Sequence, residues 1–305
     1  MAELLIQVLG CPNCGAPFDP KVSRACKYCG SVLIVTSVRE AYDHELKGLD
    51  ISGSIEKWRQ LSKNNPEDAK AHFALGIAYL NSRFRDAALE HFRKAALLQP
   101  EAADIHYNLA ITLFDDGNIA LNAPEYAEMI KEIDYSVHIL PDFKEAQAFS
   151  HFFIARKLDS IDHLEALAEY RKAIENCPNI GVFWNNIGLC YYRNNNLIEA
   201  YQCYQQALAY SSKLGIAYIN MAHVLFKQGN YQQGVEMSEQ ALSLMGPGDP
   251  PLHQAEAHNA LALCLWKSNR SDEALRHSTM AVALAPNFPI FKQTLDQIQA
   301  KADLS

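Results

Sequence analysis

A chain of 305 residues, 49% hydrophobic and 20% charged, has the composition of a folded globular protein about two domains long, which excludes disordered and collagen-like chains. Its 27 Lys and Arg stand against 35 Asp and Glu for a net charge of -8, so the continuous basic face that sequence-independent nucleic-acid binding requires is not expected. No apolar run reaches the roughly 18 residues that cross a bilayer, and Glu3 stands where a signal peptide carries positive charge, so a cytoplasmic protein is expected.

Residues 1–40 hold four of the eight cysteines. Cys11 and Cys14 form one C-x-x-C-G knuckle with Gly15, and Cys26 and Cys29 form a second with Gly30. Each knuckle presents two thiolates to one side, and the glycine lets a backbone N–H turn toward sulfur. Four thiolates suit one tetrahedral Zn²⁺ and leave no open position for catalytic water. The flanking runs 4–9 and 31–38 are rich in leucine and β-branched residues, so the site is expected to pin a small antiparallel ribbon. A module this short has too little core to fold unaided, whereas structural zinc supplies about 10–16 kcal/mol. Iron and a pair of disulfides are the competing readings; a redox C-x-x-C lacks its βαβ context. The module resembles a zinc ribbon, and the separation of its knuckles is shorter than that of the rubredoxin family.

Residues 41–68 read as a linker and a half-repeat, with Ser54, Trp58, Leu61 and Pro66 marking a helix. From residue 69 the chain repeats itself. His72, Leu75, Gly76, Tyr79, Ala88, Phe92, Ala95 and Pro100 share their offsets with Trp184, Ile187, Gly188, Tyr191, Ala200, Tyr204 and Ala207. Tyr218, Met221, Ala222, Leu225, Gly234 and Ala241 follow about 34 residues later, and His258, Leu261, Ala262, Leu265, Ala274, Ala281 and Pro286 recur near the end. This pattern resembles the tetratricopeptide repeat (TPR). The resemblance implies an all-α solenoid of about six helix pairs over residues 69–288, beginning near Ala69, Ala103, Gln147, Gly181, Gly215 and Ala255, with a capping helix and tail over 289–305. The second repeat carries about seven extra residues in the stretch 116–124, and the third matches least well, its first helix fitting either of two registers. Small residues at the eighth and twentieth places are expected to let the two helices of one pair approach, with large residues at the fourth, seventh, eleventh and twenty-fourth places filling the rest.

The TPR resemblance implies a protein-interaction adaptor or assembly subunit that holds a peptide or helix of a partner protein in a concave groove. Asn108, Asn186 and Asn220 fall at the sixth place, where they resemble the asparagine ladder that grips a ligand's backbone. Tyr192-Arg193, Phe226-Lys227 and Trp266-Lys267 recur at the twelfth and thirteenth places of three repeats, an aromatic followed by a base that would suit an apolar, acidic ligand. The fifth places hold Phe73, Tyr107, Asn185, Ile219 and Asn259, without the lysine of a carboxylate clamp. Cys190, Cys203 and Cys264 read as small hydrophobes, and His72, His106 and His258 as packing residues. The competing reading is a nucleic-acid-associated factor in which the ribbon contacts nucleic acid. Lys21, Arg24, Lys27 and Arg39 barely outweigh Glu3, Asp19 and Glu40 there, so nucleic acid is not the expected partner. No catalytic motif occurs, no membrane span is expected, and an enzyme is not expected.

Overall fold

A computed structural model of the chain describes residues 51–302, apart from 82–83, 115–122 and 247–249. The expected ribbon and its ligands Cys11, Cys14, Cys26 and Cys29 lie outside the described residues. Among these residues the chain forms fourteen α-helices and no strand. It divides into two compact units whose boundary falls within one helix, after Phe183.

The first unit contains α1 (Ile51–Asn64), α2 (Ala69–Asn81), α3 (Arg85–Leu98), α4 (Ala103–Phe114), α5 (Pro124–Ile139), α6 (Lys144–Leu158) and α7 (His163–Asn176), and takes the start of α8 (Gly181–Arg193). The pairs α2–α3, α4–α5 and α6–α7 are antiparallel hairpins stacked in chain order. Local chemistry sets their ends. The Asp68 carboxylate accepts from the backbone N–H groups of Lys70 and Ala71 to start α2, and Asp162 does the same for α7 through Leu164 and Glu165. Arg85 donates to the carbonyls of Thr112 and Leu113, both at 3.0 Å, satisfying acceptors in the last turn of α4.

Packing inside a hairpin follows the alternation of small and large residues. A Cβ on Gly76 of α2 would lie 2.5 Å from Phe92 of α3, so only glycine lets the buried ring come this close to the facing helix. In the third hairpin three phenylalanines of α6 take over. Phe152 stacks on Phe183 with centroids 4.7 Å apart, Phe149 meets Phe183 edge-on at 4.9 Å, and Phe153 meets Phe114 at 5.3 Å. This aromatic filling explains the weak repeat match, and the backbone settles the register. Gln147 is the fourth residue of α6 and its amide donates to the Pro141 carbonyl at 2.6 Å, as His106, the fourth of α4, reaches Pro100 at 2.9 Å. The first helix of this repeat therefore begins at Lys144, not at Gln147.

The second unit contains the rest of α8, α9 (Leu197–Tyr210), α10 (Gly215–Lys227), α11 (Tyr231–Leu244), α12 (Pro251–Lys267), α13 (Ser271–Leu284) and α14 (Pro289–Ala302). A Cβ on Gly188 would meet Tyr204 at 2.6 Å, repeating the Gly76 arrangement. Position twenty works differently from the sequence expectation. A Cβ on Gly234 of α11 would meet Cys264 of α12 at 2.6 Å and the Ala222 carbonyl at 3.5 Å, so this small residue admits the next hairpin as well as its own partner. α14 closes the stack against α13 and α12, burying Phe291 and Ile298.

Candidate functional site

The three aromatic–base pairs sit where three first helices end. Asn195, Gly229 and Asn269 take left-handed backbone conformations, with φ of 61°, 82° and 61°. The next residue's N–H in each case bonds five residues back, Asn196 to Tyr191 at 2.9 Å, Asn230 to Leu225 at 2.9 Å and Arg270 to Leu265 at 3.0 Å. The left-handed residues themselves donate to the carbonyls of Tyr192, Phe226 and Trp266, each at 3.1 Å. These are three copies of one helix-terminating turn, which glycine and asparagine tolerate best. Arg193, Lys227 and Lys267 therefore lie in the last turns of α8, α10 and α12, where a cation meets the negative end of the helix dipole. Part of the aromatic–base regularity is thus a capping device.

Lys227 also joins neighbouring hairpins, whereas Lys267 covers a ring of its own helix. The Lys227 ammonium lies over the Tyr192 ring, 4.0 Å from its centroid, linking α10 to α8, and Lys267 lies 4.5 Å over the ring of Trp266. Phe226 and Trp266 are half-buried against the core cluster of Val235, Leu261, Cys264 and Leu265, and Tyr192 packs against Tyr204, Met221 and Val224. The charged ends of Arg193, Lys227 and Lys267 belong to exposed residues. The aromatics are therefore part core and part surface, and the bases edge them with positive charge.

The sixth-place asparagines separate. Asn220 is half-buried and donates to Oδ1 of Asn185 at 3.0 Å, again joining α10 to α8; Asn186 is half-buried. Asn108 departs from the ladder expectation. It is fully buried and its amide donates at 2.7 Å to the Asp104 carbonyl of its own helix. Sequence reasoning missed Asn185 as the cross-helix partner of Asn220, since the fifth place carries no fixed residue type. It also missed His223 on α10, which burial first and the Lys227 charge next push down to about 4, leaving a neutral imidazole one turn from the basic end of its helix. Burial likewise raises the Cys264 thiol to about 12 and, with Glu199, the Cys203 thiol to about 11, so both remain protonated packing groups.

Stacked two-helix units with a glycine-to-ring contact inside the hairpin define an all-helical repeat protein. Family models described as tetratricopeptide repeat match residues 73–136, 182–214 and 213–287, so both units carry tetratricopeptide repeats. The small glutamine-rich tetratricopeptide repeat-containing protein 2 of Mycosarcoma maydis is 27% identical over 119 residues, covering 39% of this chain and 34% of that protein. The tetratricopeptide repeat-containing protein trd-1 of Caenorhabditis elegans is 24% identical over 187 residues, covering 61% of this chain and 22% of that protein. The chain thus spans about a third or less of the length of these curated relatives. In fold it is similar to a chain of the APC/C hetero-tetramer Cut9-Hcn1, with a TM-score of 0.64, 19% identity, and coverage of 81% of this chain and 46% of that one. PilF of Pseudomonas aeruginosa is similar at a TM-score of 0.55 and 17% identity, covering 78% of this chain and 99% of that one. Among the described residues no helix is long and apolar enough to cross a membrane.

Proposed function

We propose that this chain is a protein-interaction adaptor or assembly subunit, and that α8, α10 and α12 of the second unit offer an apolar, positively edged face to an acidic segment of a partner protein. The observation that supports this reading most directly is the alignment of Lys227 over Tyr192 across neighbouring hairpins. Bases on flat aromatic rings are held in place yet remain exposed, which suits carboxylates flanking an apolar anchor. Tetratricopeptide-repeat proteins bind other proteins, and the two curated relatives share that repeat. In the same reading Cys11, Cys14, Cys26 and Cys29 hold one structural Zn²⁺, on the strength of their spacing alone.

The test compares affinity capture by the intact chain with capture by a variant carrying Arg193→Glu, Lys227→Glu and Lys267→Glu together. Proteins recovered by the intact chain at low ionic strength should be lost from the variant while its helical circular dichroism is unchanged. Because exposed charges act most strongly at low salt, an identical set of captured proteins under those conditions would remove this face from the account.

A further inference from the structure

Two hairpins are fastened by the same pair of side chains at the same two places. His72 on α2 and His91 on α3 approach Nδ1 to Nδ1 at 2.9 Å with centroids 5.1 Å apart. His258 on α12 and His277 on α13 repeat this at 3.0 Å, also with centroids 5.1 Å apart. All four rings are half-buried, so solvent protons reach them.

Two ring nitrogens at this separation share one hydrogen, donated by one N–H and accepted by the other lone pair. In the first pair the neighbour sets the direction. His72 Nε2 lies 3.2 Å from the Pro66 carbonyl oxygen, which can only accept, so His72 is protonated there and His91 donates inward. One added proton is accommodated, because His91 can move its own proton to Nε2 and accept from a doubly protonated His72. A second leaves two N–H groups and two positive charges head to head. Among the described residues no three His, Cys, Asp or Glu gather to hold a metal ion, and two nitrogens fall short of zinc's usual set of four ligands; these pairs share a proton.

The second hairpin answers acid in the opposite sense. Buried His106 of α4 faces Glu132 of α5 at 2.5 Å through Nδ1 and the Pro100 carbonyl at 2.9 Å through Nε2. Both ring nitrogens meet acceptors, an arrangement that the imidazolium satisfies fully.

We propose that His72–His91 and His258–His277 are acid-sensitive clasps that loosen their own hairpins as pH falls below the ordinary histidine value of about 6.5, while the His106–Glu132 clasp holds. Burial foremost, then His72, keeps His91 below its usual value; Glu90 opposes this and Arg59 of α1 adds to it, with Tyr79 stacked on the ring at 5.4 Å. Burial, then His277, lowers His258. Burial, then Arg276, lowers His277, aided by Arg270 and opposed by Glu273 and by Glu239 of α11. Below about 6.5 the unfolded chain therefore binds more protons than these hairpins do, and their stability falls with pH. His106 has the reverse sign: burial opposes its charge, but Glu132 and the Pro100 carbonyl outweigh it.

Peptide-resolved amide hydrogen exchange on the full chain tests this, with protection corrected for intrinsic rates at about pH 7.5 and about pH 5. The hairpins α2–α3 and α12–α13 should each lose several-fold more protection than α4–α5 between the two pH values. His91→Gln keeps a hydrogen-bonding group that does not titrate, and should abolish the excess loss in α2–α3 alone; His277→Gln should do so in α12–α13 alone. Equal loss in all three hairpins, or an excess that persists in these variants, overturns the proposal. Should either variant already lack protection at neutral pH, the ring C–H resonances of the unaltered chain decide. Midpoints below about 6.5 for His91, His258 and His277 support the clasps, and ordinary or raised midpoints overturn them.

Discussion

Gly76→Ala isolates the contact on which the hairpin packing rests. The new Cβ would lie 2.5 Å, 2.6 Å and 3.0 Å from three carbons of the Phe92 ring, and that residue is fully buried. Forcing a methyl group into such packing costs about 1–3 kcal/mol. The substitution also removes a glycine from a helix interior, which returns about 1 kcal/mol. The net expectation is a loss of about 0–2 kcal/mol, with the steric part relieved when Phe92→Leu is added. A double-mutant cycle read by urea unfolding of the full chain should then show a coupling of about 1 kcal/mol or more between the two sites. The opposite result refutes the reasoning: Gly76→Ala stabilising by its full propensity gain, with no coupling to position 92, would mean that the ring does not limit the approach of α2 to α3.

Two further expectations concern charge and metal. Glu132→Gln should destabilise the chain by about 1–3 kcal/mol at pH below about 6.5, where His106 is an imidazolium facing a carboxylate, and by less as pH rises through the raised value of His106, because a group held above its usual value loses its contribution in that direction. A gap between variant and parent that widens with pH in thermal unfolding would contradict the pairing. Elemental analysis of the purified chain should find about one zinc per chain, and Cys26→Ser should lose it while the helices persist, since the hairpins are stabilised by one another; a metal-free parent, or a variant that retains zinc, would dispose of the four-cysteine site.

The helix pairs were legible in the sequence because periodicity is a local property: Gly76 with Phe92 and Gly188 with Tyr204 recur at set offsets, and a small residue opposite a large one has few ways to pack. The aromatic–base pairs were legible for the same reason, although the structure adds that Arg193, Lys227 and Lys267 also complement helix ends. Tertiary structure alone decided the start of α6 at Lys144, because three phenylalanines blur the small–large pattern there. It alone turned Asn108 inward onto the Asp104 carbonyl while Asn220 reached Asn185, although both asparagines occupy the sixth place. It alone paired His72 with His91, nineteen residues apart on facing helices. Repeat offsets place such residues on a common face, but which nitrogen meets which acceptor depends on rotamers and on the offset between helices, and neither is written in the spacing.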